Sequence, residues 1–217
     1  MGNAPRRIRD PETTREEILN AAELEFARHG FVAARAEAIA AQTGVTKSMI
    51  FYHFNSKEEL YQAVLERVAA GLIQISQMET EHLSPEQALR QLVSELLGCL
   101  ANNPNLPKLF HLEAIHNQGK YYERIGMLKF FDRLISILQR GIATGAFRSL
   151  EPRQTAVNIV GACAFYFVVN ENLKYLWEDQ QMFSRETLDE HAREAINLIM
   201  AGVEQDHGCF PNQSSNR

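Results

Sequence analysis

AEAIAAQTGVTKSMIFYHFNSKEEL, residues 36 to 60, reads as a short helix, a turn carrying Gly44, a second short helix, and the capped start of a third. The second helix sets Lys47, Ser48, Tyr52 and His53 on one side and Ile50 and Phe54 on the other. A polar and aromatic face backed by apolar residues is built to touch something. Two short helices joined by a three- to four-residue turn with a glycine form the helix-turn-helix that places its second helix in the major groove of DNA. The side chains have the chemistry for that groove. Lys contacts phosphate or guanine, Ser accepts either kind of base, and Met49 or Tyr52 packs on a thymine methyl.

On the N-terminal side, Thr13-x-x-Glu16 forms a capping box, in which each side chain satisfies the other's free backbone N–H. Ile18, Leu19, Ala22 and Phe26 give the helix that follows one buried face, and Gly30 stops it. Phe31 and Val32 are expected to close a small core with Ile39, Val45, Ile50 and Phe54. Residues 1 to 12 are polar and hold two prolines, so a flexible arm is expected there. Its Arg6, Arg7 and Arg9 either enter an adjacent minor groove or remain free.

On the C-terminal side, Ser56-x-x-Glu59 caps a long helix over residues 57 to 77. Ser84-Pro85-x-Gln87 starts the next, which ends before Asn102-Asn103-Pro104. Further helices are expected over 106 to 117, 121 to 144, from Glu151-Pro152 to about 178, and from Ser184 to near Gly202. No alternating strand pattern and no repeat is present. The expectation is an all-α chain of about nine helices: an arm (1–12), a three-helix DNA-binding domain (13–60), a helical ligand-binding and dimerisation domain (61–205) and a polar tail (206–217).

The chain has 217 residues, 45% of them apolar, with no run long enough to span a membrane. The N-terminus shows no signal peptide pattern. Cys99, Cys163 and Cys209 are too far apart for a C-x-x-C site, which argues for a reducing compartment, hence the cytoplasm. The net charge of −5 opposes phosphate contact, but charge distribution decides binding. Of the nine acids in residues 1 to 60, five lie between Glu12 and Glu25, where they can face away from DNA. Arg6, Arg7, Arg9, Arg35, Lys47 and Lys57 lie in the arm or around the second helix pair.

Phe26, Gly30-Phe31, Ile39-Ala40, Gly44-Val45-Thr46-Lys47, Phe51-Tyr52-His53-Phe54 and Ser56-Lys57-Glu58-Glu59-Leu60, in this order, resemble the N-terminal domain of the TetR/AcrR one-component transcriptional regulators. The resemblance covers residues 13 to about 65; beyond it only helix count and rhythm agree. It implies a homodimer on a palindromic operator, released when the C-terminal domain binds a small molecule. It makes Thr46 the cap of the recognition helix, Lys47, Ser48, Met49 and Tyr52 its groove-facing positions, and His53 and Lys57 phosphate anchors. Two positions depart from the pattern. Phe51 stands where a Tyr hydroxyl usually donates to the backbone, and Ala34 where Thr usually caps the second helix. Arg35 can replace the phosphate contact but not the cap.

The same resemblance puts a ligand cavity among the middle helices. Phe110, Met127, Phe131 and Phe165 are then candidate apolar lining, and Glu113, Asn117, Tyr166 and Asn170 candidate polar groups, for an apolar or amphipathic effector. Plain core is the alternative for each. His111 and His116 are five apart and share no helix face, so no metal site or cofactor is expected. Small and apolar residues on the last two long helices (Val157, Val160, Gly161, Ala164, Val168; Leu188, Ala192, Ala195, Ile196, Ile199, Val203) suit either a four-helix dimer interface or an internal core. The competing function is an enzyme or ligand-binding protein without DNA activity. No phosphate loop, Ser/His/Asp order or metal-spaced ligand set supports it.

Overall fold

The computed structural model describes residues 10–122, 126–177 and 181–205. They form ten helices: α1 (Pro11–Ala33), α2 (Ala36–Thr43), α3 (Lys47–Phe54), α4 (Lys57–Ser76), α5 (Pro85–Asn102), α6 (Asn105–Asn117), α7 (Met127–Ala143), α8 (Pro152–Val168), the single turn α9 (Asn170–Leu173) and α10 (Arg185–Val203). Among the described residues the only β pairing is an isolated bridge between Phe147 and Glu204. The arginines at 6, 7 and 9 and Cys209 lie outside the described residues, as does the tail from 206.

Local chemistry sets most helix ends. Ser84 and Gln87 form the reciprocal box: the Gln87 N–H donates to Ser84 Oγ (3.3 Å) and the Ser84 N–H to Gln87 Oε1 (3.2 Å). Ser184 accepts from the Thr187 N–H and Glu151 from the Gln154 N–H. Three boundaries differ from expectation. The first helix starts at Pro11, because Asp10 and not Thr13 is its cap; Asp10 accepts from the Thr13 N–H at 3.0 Å, and Pro11 takes the first helical position, where no N–H is missed. The helix expected from 121 starts at Met127, after Gly126 in a left-handed conformation. The helix expected to reach 178 ends at Val168, and the one-turn α9 follows.

The chain divides into two compact units, residues 1–71 with 103–127, and residues 72–102 with 128–217. The first unit therefore runs past the boundary expected at residue 60 and takes in α6. Tyr61 explains this: its ring is fully buried against Phe26 (4.8 Å between centroids), Phe31 (5.0 Å) and Tyr121 (5.6 Å). Arg67, two turns along α4, holds α1 by donating to the Leu19 carbonyl (3.1 Å), Asn20 Oδ1 (2.9 Å) and Glu23 Oε2 (2.6 Å). Ile18, Ala22, Phe26, Ile39 and Ile50 complete this core. Val32, expected there, is 74% exposed: Gly30 (φ 70°, ψ 175°) breaks α1, and beyond it Phe31 faces the core while Val32 faces out.

In the second unit α5, α8 and α10 pack on one another, and Leu89, Leu92, Ile159, Cys163, Ile199 and Met200 fill the space between them. On α7, Arg140 donates to the carbonyls of Thr80 (3.0 Å) and Glu81 (3.1 Å), and Arg133 pairs with the Glu81 carboxylate (2.6 Å). The Arg133 guanidinium holds the Glu81 carboxyl down at about 2. Gly141 admits Phe147 so closely that any Cβ would overlap its ring.

Candidate nucleic-acid interface

Gly44 closes α2 in a left-handed conformation (φ 68°), and Thr46 opens α3 by accepting from the Met49 N–H at 3.2 Å. The Thr46 hydroxyl also lies 2.9 Å from Ser48 Oγ. Ile50 and Phe54 are buried, whereas Lys47, Ser48 and Met49 are exposed and Tyr52 is 82% exposed. Helical spacing thus separates an anchoring side from a presenting side. His53 is half-buried between the rings of Tyr52 and Phe54.

The charged groups are partly committed. Lys47 Nζ donates to Glu37 Oε1 of α2 at 2.6 Å, with both side chains exposed. That contact keeps the Glu37 carboxyl below its usual range. Lys57, expected as a phosphate anchor, points back to α1: its amine donates to the Val32 carbonyl (3.1 Å) and sits over the Phe31 ring (5.1 Å). There it satisfies a carbonyl that the end of a helix leaves free, and burial lowers the amine's pKa.

The start of α2 has no side-chain cap, and Glu25 supports it in another way. Its buried carboxylate, on α1, accepts the Arg35 N–H at 3.0 Å, at the positive end of the α2 dipole. Nothing local in the sequence marks Glu25 for this role, since the contact spans ten residues. The Arg35 side chain is exposed. Phe51 is half-buried, with the Lys47 amine 6.0 Å from its centroid.

The eight candidate ligand residues divide between the units. Phe110, Glu113, Asn117 and Met127 lie in the first, and Phe131, Phe165, Tyr166 and Asn170 in the second. Glu113, 1% exposed, has both oxygens engaged: Oε2 accepts from Tyr61 Oη (2.9 Å) and from Asn117 Nδ2, and Oε1 from the Tyr121 N–H (3.1 Å). Burial and the Glu113 charge push the Tyr61 phenol up, so it stays a donor. Tyr121 Oη and Lys120 Nζ both donate to Glu58 Oε1 on α4. Glu113 and Asn117 are therefore parts of a satisfied knot joining α4 to α6. His111 and His116 are exposed, and among the described residues no three metal-ligating side chains cluster. Met127 is buried and Phe110 and Phe131 half-buried, while Phe165 is exposed, facing away from the core of its unit. Asn170 is buried, and its Oδ1 accepts no hydrogen bond.

Tyr166 borders a cavity of about 300 Å³ between α8 and α10. The buried Tyr166 and Met182 and the half-buried Thr187 and His191 line it, with Trp177, Glu190 and Glu194 at the exposed margin. Sequence reasoning missed all of these except Tyr166. The available signal was Glu190 and Glu194, like charges four apart on one helix face.

The relatives agree with this geometry. Residues 18–64 match the model of the tetR family of bacterial regulatory proteins, and residues 85–199 match the tetracyclin repressor-like C-terminal domain. The HTH-type transcriptional repressor NicS of Pseudomonas putida is 30% identical over 167 residues, 74% of this chain and 78% of that protein. The HTH-type transcriptional repressor SCO4008 of Streptomyces coelicolor is 26% identical over 167 residues, 76% of this chain and 84% of that one. Among solved structures, HlyIIR, a hemolysin II transcriptional regulator, shares the fold with a TM-score of 0.67 at 22% identity, over 91% of this chain and 100% of that chain. With the helix-turn-helix in place and both parts of the family pattern matched, the chain belongs to the TetR family of DNA-binding transcriptional regulators.

Proposed function

We propose that the chain works in the cytoplasm as a homodimeric repressor of a palindromic operator, released when a small molecule binds its second unit. The observation that carries the DNA half is the sidedness of α3, with Tyr52 82% exposed and Ile50 fully buried on the opposite side. Lys47, Ser48, Met49 and Tyr52 meet base edges and phosphates, Arg35 and His53 flank them, and Thr46 holds the helix start. Lys57 acts indirectly, fixing the end of α1. NicS and SCO4008 are both repressors, which supports the sign of the effect.

The dimer reading rests on apolar surface. Ala195, Ile199 and Val203 are used up inside the chain, but Val157, Gly161 and Phe165 on α8 and Leu198 on α10 remain exposed. Such a surface is what a two-fold interface covers. Release then follows by population shift. The helix α4 belongs to both units, since the division falls at residues 71 and 72 within it. A ligand that favours one α4 position alters the spacing of two α3 helices, which must match successive major grooves about 34–36 Å apart. Only a ligand with different affinity for the two states does this. No catalytic step is assigned.

The test is selection from a random duplex library with the purified chain, repeated with a metabolite extract added. A palindrome that is enriched, then dispersed by the extract, is the expected result. An enriched palindrome that no extract disperses removes the ligand half. Absence of enrichment at low salt removes the DNA half and favours a ligand-binding protein.

A further inference from the structure

The cavity between α8 and α10 combines three features. Its inner wall is aromatic: the Tyr166 and His191 rings stack at 4.3 Å with 19° between planes. Tyr166 Oη donates to the Met182 carbonyl (2.6 Å), and His191 Nε2 lies 3.4 Å from the Cys163 carbonyl, so both rings are held in place. Burial lowers the His191 pKa, which disfavours a positive charge on the ring. The margin carries a second π surface, the half-exposed indole of Trp177.

The third feature is negative charge at the margin. Glu190 and Glu194 stand one turn apart on α10 and both border the cavity. Glu190 has no hydrogen-bond or ion-pair partner among the described residues. Glu194 has only the loose contact of its neighbour Arg193 (3.7 Å), which does not line the cavity. Like charges at this spacing destabilise a helix. Among the described residues, the other side chains bordering the cavity are the uncharged Tyr166, Trp177, Met182 and Thr187, and His191. An ammonium group is attracted both to carboxylates and to the faces of aromatic rings, most strongly where water is thin. The volume suits a small body of one ring or a short chain.

We infer that this cavity binds a small organic cation: an ammonium group set against Glu190 and Glu194, on an apolar body packed against Tyr166, Met182 and Trp177. Binding stands on the cavity alone; its role as the effector site rests on the ligand-release reading proposed above.

Trp177 is the only tryptophan in the chain, so its emission reports the site directly. The full-length protein is titrated at pH 7.5 with 2-phenylethylammonium, with the neutral near-isostere 2-phenylethanol, and with the anion 3-phenylpropionate. The expected result is a saturable change with the ammonium compound at a Kd at least about tenfold below that of the alcohol, which is about 1.4 kcal/mol, and no saturation with the anion. In the Glu190→Gln/Glu194→Gln double variant the two affinities should converge, with the alcohol unchanged. Both side chains are exposed, so the variant keeps its fold. The proposal is overturned by no saturable change with the ammonium compound, by equal affinity for the alcohol, or by a preference that survives the double variant. Binding by Trp177 emission without operator release keeps the site and removes only its effector role.

Discussion

The outer face of α3 and the Glu113 knot lie in the same unit and are equally rich in polar and aromatic residues, yet they spend their polar atoms in opposite ways. At Glu113 both carboxylate oxygens are occupied by Tyr61, Asn117 and the Tyr121 backbone, all within reach of α4 and α6. On α3, Tyr52 projects into solvent, and the Lys47 amine meets an exposed carboxylate and the Phe51 ring. The density of polar residues does not mark a site; spare bonding capacity does. A buried carboxylate with every lone pair directed at a donor is part of the scaffold. An exposed aromatic on a helix whose other side is fully anchored is available to a partner.

The largest effect should follow from breaking the knot. Glu113→Ala leaves the Tyr61 hydroxyl and the Tyr121 N–H buried without an acceptor, and is expected to cost about 3–5 kcal/mol in denaturant unfolding. Glu113→Gln keeps one acceptor and should cost less than half of that. If Glu113→Ala unfolds like the wild type, the knot is not structural and Glu113 returns to the candidate ligand residues.

Gly30→Ala comes next. The conformation at Gly30 is one that only glycine adopts readily, and a Cβ there would lie 2.7 Å from His116 Nδ1 on α6. A loss of about 2 kcal/mol is expected. An unchanged melting temperature would mean that the break at the end of α1 is not fixed by this residue.

The smallest effect sharpens the α3 side. Glu37→Gln frees Lys47 and removes a negative charge beside the reading helix, so DNA affinity at low salt should rise about two- to fivefold with no change in melting temperature. Weaker binding would show that Glu37 orients Lys47 and does not compete for it.

The same contrast explains what the sequence made legible. The turn glycine, the Thr46 cap and the Ser84–Gln87 box are local, within a few residues, and each stands as read. The Glu25 bond to Arg35, the Lys57 bond to Val32 and the Glu113 knot join residues 10, 25 and up to 52 apart, and no periodicity reports such distances. Glu113 therefore resembles a ligand residue in the sequence, where its partners are invisible. Glu190 and Glu194, like charges four apart, are a weak signal there, because exposed acids on a helix are ordinary until an aromatic cavity is seen beside them. Asp10 is hard to recognise as a cap because the polar run before it hides the helix start at Pro11.

Salt dependence separates a grip on DNA from the outer face of α3 from one shared with the residues that support it. Binding to the selected duplex is measured across a salt series for the wild type, Lys47→Ala and Lys57→Ala, with melting temperatures alongside. Lys47→Ala should lower the slope of log affinity against log salt by about 0.9 at unchanged stability, and Lys57→Ala should lower stability and leave the slope near that of the wild type. A slope reduced by Lys57→Ala and untouched by Lys47→Ala would mean that Lys57, and not Lys47, holds the phosphates.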